Sequence, residues 1–316
     1  MSQKTRLLCV GDTHLGRAET SDGKKGSHGQ WAYIFAFEAA ISIAIYRDAD
    51  AIVHTGDIFE TQRPSSTIVS IARRQLARLR EAGIQFCYVP GDHDEETGRH
   101  QRHPRASRYE DVLQKIQLPR TPGIDDFMSE YQTFNLGRTP HMVAHNCALY
   151  GIPSSQRTEK EYRQGITPIQ SDTSNQDGIF NIINAHAGIS PGWKRARHDI
   201  PSVLGELPNR MSIDVLICGH LHRPEVREYP TDSCPLFINP GSPVRINGAT
   251  NRNYQPQVTL LEFPNGRSKS TAGCIERERI DVPVTQSGCA RLAEKAREAL
   301  FETRQNRQDV TAAEPA

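Results

Sequence analysis

The chain has 316 residues, which is enough for one large α/β domain or two small ones with a substantial buried core. Its 38 Lys and Arg nearly balance 37 Asp and Glu, so the net charge does not indicate a nucleic-acid-binding protein, and any basic surface has to be local. The sequence contains no apolar stretch long enough to span a bilayer and no signal peptide, which predicts a cytoplasmic protein that does not contact a membrane.

Short apolar runs that end in polar turns alternate with helical patterns, which is typical of an α/β domain. Five of the runs predict a buried strand followed by a loop: RLLCVGDTH, AIVHTGDIF, FCYVPGDHD, IINAHAG and VLICGHLH. Helical periodicity predicts helices over 30–48 and 66–83, the second following the Pro64-Ser65-Ser66 segment and ending at Gly83. The seven cysteines form no CxxC pair and predict reduced core thiols, with zinc or disulfide roles as the alternatives.

The last part of the chain continues the same pattern. LFINPGSP, QVTLLEF and CIERERIDV predict further strands that pair within the same core. An amphipathic helix follows from Ala290, and DVTAAEPA predicts a frayed tail. We therefore place one domain at 1–282 and a helix with a disordered tail at 283–316.

Acidic or imidazole side chains follow each of the first five predicted strands: Asp12 and His14, Asp57, Asp92 and His93, His186, and His220 and His222. Taken singly, such a histidine is usually a satisfied core or surface side chain, and an Asp after Gly usually belongs to a turn. That interpretation does not explain why successive strands all end in metal-ligand types, where α/β sheets collect functional groups. Mixed oxygen and nitrogen ligands suit manganese, iron or zinc, and their number predicts two ions that activate water on a phosphoester.

Five motifs resemble those of a known family: GDTHLG, GDIFE, GDHD, NAHAG and GHLHRP, in this order. Together they look like the signature of the calcineurin-like binuclear metallophosphoesterases. DTHLGR, GDIFETQRPS and NPGSPVRIN are similar to one branch of that superfamily, the SbcD-type exonucleases of DNA double-strand-break repair. The resemblance implies a four-layer α/β sandwich, in which two mixed β-sheets are flanked by α-helices.

The resemblance also implies a role for each strand-end residue. Asp12, His14 and His222 would hold one ion, and Asp92, His186 and His220 the other. Asp57 would bridge two divalent ions, most often Mn²⁺. We expect Asp12 and His14 to point the same way from an extended backbone, as alternate residues of a strand do, and likewise His220 and His222.

His93 is left without an ion, and the resemblance assigns it to the phosphate or the leaving-group oxygen in the transition state. An imidazole suits this role because its ordinary pKa lies near neutral pH. We expect Glu60, three residues after Asp57, to orient His93 as a dyad. Asp94 is expected to support the site from behind, with a solvated turn carboxylate as the alternative.

Asp92 departs from the family, in which most members have Asn at this position. A carboxylate adds a negative charge to the two ions, which predicts weaker Lewis acidity, a more basic bridging water or a preference for a more highly charged ion. The short chain after residue 282 is the second departure, because the branch usually adds a DNA-capping domain. We expect that domain to be reduced or absent.

Three local basic stretches follow the proposed ligands: KKGSHGQW, RHQRHPRASR and WKRARH. Their Lys and Arg could meet backbone phosphates without reading sequence, and Trp193 could stack on a splayed base. Solvated loops are the alternative. The predicted DNA contacts are Arg17, Lys24, Lys25, Arg63, Arg99, Arg102, Arg105, Trp193, Lys194 and Arg195.

The function predicted from these residues is a metal-dependent DNA exonuclease, with single-strand endonuclease activity as a possible addition. A small-molecule phosphodiesterase or nucleotide pyrophosphatase of the same superfamily is one alternative. A weakly catalytic scaffold that binds DNA and an ATPase is another. The resemblance implies DNA, an SMC-like ATPase and a second copy of the chain as partners; the helices at 31–46 and 67–82 could pair across that dimer or pack on their own sheet.

Overall fold

The described part of the chain contains two six-stranded mixed β-sheets, which confirms the predicted α/β fold class of two mixed sheets flanked by helices. The structure, a computed structural model, describes residues 4–17, 27–94, 133–137, 139–152, 178–187, 213–228, 236–244, 255–265, 275–283 and 286–312.

The first sheet has the strand order β12-β11-β1-β2-β3-β4. Strands β1 to β4 run parallel to one another, whereas β11 is antiparallel to both β1 and β12. The six strands are β1 (Thr5–Val10), β2 (Ala51–His54), β3 (Gln85–Tyr88), β4 (Thr133–Asn135), β11 (Gln257–Phe263) and β12 (Glu276–Asp281).

The second sheet has the strand order β5-β6-β7-β8-β10-β9. Its four inner strands are parallel, and the two edge strands β5 and β9 are antiparallel to their neighbours. The strands are β5 (His141–Val143), β6 (Cys147–Ile152), β7 (Phe180–Ala185), β8 (Val215–Cys218), β9 (Glu225–Glu228) and β10 (Leu236–Asn239). The sequence patterns did not reveal β4, β5, β6 or β9.

One hydrophobic core lies between the two sheets, and another lies between the first sheet and the helices. In β1, alternate side chains point to opposite faces, so Leu7 and Cys9 pack toward the second sheet while Leu8 and Val10 pack toward the helices. Residues from β2, β3, β6, β7, β8 and β10 complete the inter-sheet core: Val53, Cys87, Leu149, Ile182, Ile217 and Ile238. The described cysteines are all buried and form no disulfide, as predicted.

Among the residues that the structure describes, three helices lie on the outer face of the first sheet: α1 (Ser27–Tyr46), α2 (Ser66–Ala82) and α3 (Gln286–Ala312). Helix α2 begins where Ser65 accepts a hydrogen bond from the Ile68 N–H and ends at Gly83, whose φ of 74° only glycine adopts easily. Helix α3 continues to Ala312, and the tail predicted at the end of this segment stays a prediction.

Helix α1 is buried on several sides at once. It packs on its own sheet, on α2 and on α3, where the Cys289 thiol contacts the Phe35 carbonyl at 3.3 Å. Helix α1 therefore packs on its own sheet, and pairing across a dimer stays a prediction. No helix among the described residues is long and apolar enough to cross a membrane.

Candidate metal centre

All seven predicted ligands meet at one end of the two sheets. The parallel strands β1, β2 and β3 supply Asp12, His14, Asp57 and Asp92 from the loops after them, and β7 and β8 supply His186, His220 and His222 in the same way. The carboxyl ends of parallel strands share an edge, and here the two sheets bring these edges together.

The ligand atoms form two groups, each with all its atoms within 4.8 Å of one another. Asp12, His14, Asp57 and His222 form the first group. Asp92, His186 and His220 form the second. Each group mixes carboxylate oxygens with imidazole nitrogens, which suits a transition-metal ion better than calcium.

Asp57 lies between the two groups. Its Oδ2 is 3.6 Å from His14 Nε2 in the first group and 3.5 Å from His186 Nε2 in the second. One carboxylate oxygen is therefore directed at histidines from both sides, which is the position that a bridging ligand requires.

Three of the ligands have backbone conformations that side chains rarely adopt. The φ angles are 41° for His14, 52° for Asp57 and 71° for His220. A non-glycine residue in this region costs about 1–3 kcal/mol and persists only where its surroundings hold it. The expectation of an extended backbone from Asp12 to His14 and from His220 to His222 is therefore wrong, although the side chains do converge.

Glycines precede the ligands because the loops approach one another closely. A Cβ added to Gly91 would lie 2.2 Å from both the N and the Oδ1 of Asp57. Gly56 has a φ of 99°, and a Cβ there would lie 2.6 Å from His186 Nδ1. The Gly-Asp pairs of the sequence motifs thus let three loops surround a small volume.

Backbone hydrogen bonds orient the ligands. His186 Nδ1 is 2.8 Å from the Thr55 carbonyl, which can only accept, so Nδ1 carries the proton and Nε2 is turned to the site. The His220 N–H donates to Asp12 Oδ1 at 3.0 Å, and the His14 N–H donates to the Asp57 carbonyl at 2.9 Å. The ligand set is therefore held by the chain itself.

The unpaired polar atoms of the site fit a bound cation. Asp12 Oδ2 and His186 Nε2 are buried and have no hydrogen-bond partner. Burial, together with the charge of Asp57, raises the pKa of Asp12 to about 6. Burial opposes the charge on His186, but Asp57, Asp12 and Asp92 outweigh it and raise the pKa of His186 to about 9. The carboxylates thus favour a positive charge at this position, which a divalent ion would supply.

His93 lies beside the first group. Its ring centroid is 4.8 Å from that of His14, and its backbone N–H donates to Asp57 Oδ1 at 2.9 Å. Its Nδ1 donates to the backbone carbonyl of Glu60 at 2.8 Å, whereas the Glu60 carboxylate is 3.9 Å from the same nitrogen. That carboxylate is closer to His14 Nδ1, at 2.9 Å, although it is not aligned as a hydrogen bond.

Asp94 is buried and binds the loops rather than the ligand cluster. Its carboxylate accepts hydrogen bonds from the backbone N–H groups of Ile58, Phe59 and Gly91, at 3.0–3.1 Å. These residues flank Asp57 and Asp92. Asp94 is therefore in a position to support the site from behind, and it is not a solvated turn carboxylate.

Two of the predicted DNA contacts fall within the described residues. Arg17 follows the first ligand loop, and its guanidinium is 3.5 Å from the Glu60 carboxylate. Arg63 is exposed in the segment before α2. The other predicted contacts, Lys24, Lys25, Arg99, Arg102, Arg105, Trp193, Lys194 and Arg195, lie outside the described residues.

Sequence reasoning missed several residues that hold the ligand loops. Ser242 Oγ donates to the Asp12 carbonyl at 2.7 Å, and its N–H donates to the His222 carbonyl. Asn239 Nδ2 donates to the Leu221 carbonyl at 2.7 Å. In the sequence the NPGS segment is only a motif, and nothing connects it with Asp12. The sequence also does not indicate that Thr13 and His54 hydrogen-bond to each other behind the ligands.

Two face-to-face mixed sheets with two carboxylate–imidazole groups at their strand ends define an α/β protein with a candidate two-metal centre. The chain belongs to the calcineurin-like phosphoesterases, because residues 5–224, more than two thirds of its length, match the model of that family. Proteins of this family use divalent metal ions, and the described residues contain clusters of His, Asp and Glu that could hold such ions.

Among curated proteins, the chain is similar to archaeal proteins named DNA double-strand break repair protein Mre11. It is 36% identical to that of Sulfurisphaera tokodaii and 32% identical to that of Sulfolobus acidocaldarius, in each case over 82% of this chain and 60% of the relative. It is 27% identical to that of Haloferax volcanii over 71% of this chain and 43% of the relative. The chain thus spans only about half the length of these relatives.

Solved structures support the fold. A dimetal phosphatase from Danio rerio matches with a TM-score of 0.51 and 12% identity, over 88% of this chain and 99% of that one. A putative 5'-nucleotidase from Staphylococcus aureus matches with the same TM-score and identity, over 94% of this chain and 58% of that one.

Proposed function

We propose that the chain is a metal-dependent DNA nuclease that hydrolyses phosphodiester bonds in DNA repair, with Mn²⁺ as its metal. The observation that carries this proposal is the pair of ligand groups that share Asp57, with His93 beside them. The likeness to Mre11 proteins over 82% of the chain supports DNA as the substrate.

The chemistry divides between the ions and the protein. Two bound divalent ions would supply a hydroxide near neutral pH and neutralise charge on the phosphate oxygens. The Glu60 carbonyl keeps a proton on His93 Nδ1, so a second proton on the cationic ring is on Nε2. His93 can give that Nε2 proton to the departing sugar oxygen and return to the neutral ring.

Asp92 distinguishes this site from one with an amide ligand. Two divalent ions would bring four positive charges, and Asp12, Asp57 and Asp92 would bring three negative ones, one more than with an amide at position 92. The extra carboxylate would strengthen metal binding and would reduce the charge that the ions can withdraw from water. We therefore expect a more basic water, and activity that rises into the alkaline range.

The test is a cleavage assay with Mn²⁺ and labelled duplex DNA, single-stranded DNA and a nucleotide panel. His93→Ala should retain metal binding and lose DNA cleavage by at least about 100-fold, the size expected for loss of a general acid. His145→Ala is the matched control, because His145 is an exposed histidine in the turn between β5 and β6. Nucleotide turnover without DNA cleavage would contradict the proposal and identify a small-molecule phosphodiesterase. DNA binding without cleavage would identify a scaffold.

The proposal extends to partners and compartment. We propose that the protein acts in the cytoplasm with an SMC-like ATPase and as a homodimer, on the strength of the likeness to repair proteins. Light scattering of the purified chain tests the dimer, and a monomeric mass at micromolar concentration would contradict it.

We also propose that residues 1–282 form the nuclease domain and that 283–316 form a helix with a tail, as the sequence pattern predicts.

A further inference from the structure

His54 is a fully buried histidine that the proposed reaction does not use. It is the last residue of β2, pairs with Val10 in β1 and Tyr88 in β3, and has no exposed surface. An interior strand position of this kind normally has an apolar side chain, because burying a polar ring is favourable only when its nitrogens are hydrogen-bonded. Both ring nitrogens of His54 do have partners.

The partners determine which nitrogen of His54 carries the proton. Gly56 directs its backbone N–H at His54 Nδ1, 3.2 Å away, and a backbone N–H can only donate. Nδ1 must therefore be the acceptor. Burial lowers the pKa of His54 to about 3, so the ring is neutral and its one proton is on Nε2.

From Nε2 the hydrogen bonds continue through Thr13 to the other side of Asp57. His54 Nε2 is 3.0 Å from Thr13 Oγ1, and Thr13 Oγ1 donates in turn to the Ile58 carbonyl at 3.0 Å. Each group in this chain of bonds donates once in the same direction. It begins at Gly56 and ends at Ile58, which are the two neighbours of Asp57.

The same bonds connect two of the three loops that bear the first ligand group. Thr13 lies between Asp12 and His14, so a single side chain links the loop after β1 to the loop after β2. His14 and Asp57 both have positive φ angles, 41° and 52°, and such conformations need support from surrounding contacts. Partners behind metal ligands supply such support, and their loss commonly weakens metal binding.

We propose that His54 is a positioning residue of the metal centre, which holds Asp57 between its neighbours and aligns Asp12 with His14 through the Thr13 hydroxyl. The proposal rests on the proposed metal site, although it does not require that the site cleaves DNA. His54 itself contacts no substrate or ion. It acts through Thr13, and the neutral ring with its proton on Nε2 is the form that the bonds require.

The first experiment uses the unaltered chain without metal. Long-range ¹H–¹⁵N correlation of ¹⁵N-histidine protein at pH 7.5, with His54 assigned by the signals lost in His54→Gln, reports which nitrogen is protonated. We expect the Nε2–H form. An Nδ1–H form, or a ring that is charged at this pH, would overturn the proposal whatever the variants do.

The second experiment removes the linking hydroxyl. Thr13→Val should weaken Mn²⁺ binding about 10–100-fold, the range typical for loss of a residue behind the metal ligands. The electron paramagnetic resonance signal of free Mn²⁺ measures the affinity. Thr13→Ser keeps a hydroxyl and should recover most of the affinity. Thr259→Val is the matched control, since Thr259 is fully buried in β11 and its hydroxyl has no hydrogen-bond partner.

The outcomes separate this proposal from the proposed function. Wild-type Mn²⁺ affinity in Thr13→Val would overturn the positioning role. An equal loss in Thr259→Val would also overturn it, by showing a general effect of the substitution. If the tautomer and the Thr13 effect are as expected but no substrate DNA is cleaved by the unaltered chain, the positioning role stands and the nuclease assignment fails.

Discussion

The two ligand groups differ in how much solvent reaches them. In the first group, Asp12, His14 and Asp57 are buried, with exposed fractions of 0%, 1% and 2%. In the second group, the side chains of Asp92 and His220 are 41% and 40% exposed, and only His186 is buried. A buried charge that lacks its partner is costly, whereas an exposed one is screened by water. We therefore expect the first group to be intolerant of change and the second to be adjustable.

Asp12→Asn tests the buried group and has the largest expected effect. The carboxylate accepts the His220 N–H and also has a buried oxygen without a partner, so an amide would both remove charge and misplace a donor. We expect loss of about one bound Mn²⁺ per chain and a fall in cleavage of at least about 1,000-fold. This is more than the loss of about 10–100-fold that follows removal of a residue behind the metal ligands.

The measurements are Mn²⁺ stoichiometry by equilibrium dialysis and the initial rate of DNA cleavage. The matched substitution in the exposed group is Asp92→Asn. If Asp12→Asn and Asp92→Asn lowered metal binding equally, the difference in burial would have no functional meaning.

The pH dependence of metal binding is the next largest effect. The pKa of His186 lies near 9 in the metal-free site because the carboxylates of Asp57, Asp12 and Asp92 outweigh the opposing effect of burial. Below that pH the ring is protonated, and an ion has to displace the proton before Nε2 can bind it. Metal affinity should therefore rise by up to about tenfold per pH unit from pH 7 toward 9 and then level off.

Titration calorimetry at pH 7.5 in two buffers of different ionisation enthalpy measures the proton released on Mn²⁺ binding. About one proton per chain is expected. Binding without proton release would mean that His186 is neutral before the ion arrives.

The raised pKa of His186 also makes the stability of the metal-free protein depend on pH. Its contribution to the free energy of unfolding is complete below pH 6.5 and is lost as the pH rises through about 9.

The sequence predicted most of the elements and the seven candidate ligands that the structure brings together, because both depend on local patterns. Apolar runs ending in Gly-Asp or Gly-His predicted β1, β2, β3 and β8, and the capped periodic stretch predicted α2. The short strands β4 and β5 have only three residues each, too few for a recognisable period.

What the sequence did not reveal depends on contacts between distant residues. In the sequence His54 is not distinguished from the other residues of its strand. Only the fold places its Nε2 3.0 Å from Thr13 Oγ1. Ser242 is far along the chain from Asp12, yet it donates to the Asp12 carbonyl. The left-handed conformations of His14, Asp57 and His220 also arise from loops that constrain one another, which no local propensity predicts.

Glu60→Gln tests where an outer carboxylate acts. The Glu60 backbone carbonyl binds His93 Nδ1 at 2.8 Å and survives the substitution, whereas the carboxylate is 3.9 Å from His93 and 2.9 Å from His14. If the dyad with His93 operates through the carboxylate, turnover should fall about tenfold while Mn²⁺ affinity is unchanged. If the carboxylate serves His14, affinity should fall instead, and saturating Mn²⁺ should restore turnover.

The distances favour the second result, and we expect an affinity loss of about tenfold with a turnover near that of the unaltered chain at saturating Mn²⁺. Cleavage rates across a Mn²⁺ titration measure both quantities at once. Glu276→Gln is the control for charge, since Glu276 is an exposed carboxylate of the edge strand β12.

Asp92→Asn has the smallest expected effect, because its side chain is open to water and lies 3.5 Å from His220, which is equally exposed. The amide keeps an oxygen that can bind the ion but removes one negative charge from the centre. The more positive centre should acidify the bound water, so the cleavage optimum should move to lower pH and Mn²⁺ affinity should fall by a few-fold. Cleavage rates over pH 6–10, with Mn²⁺ and with Zn²⁺, measure the shift. A pH and metal profile identical to that of the unaltered chain would show that Asp92 does not touch the metal. The second ligand group would then consist of His186 and His220 alone.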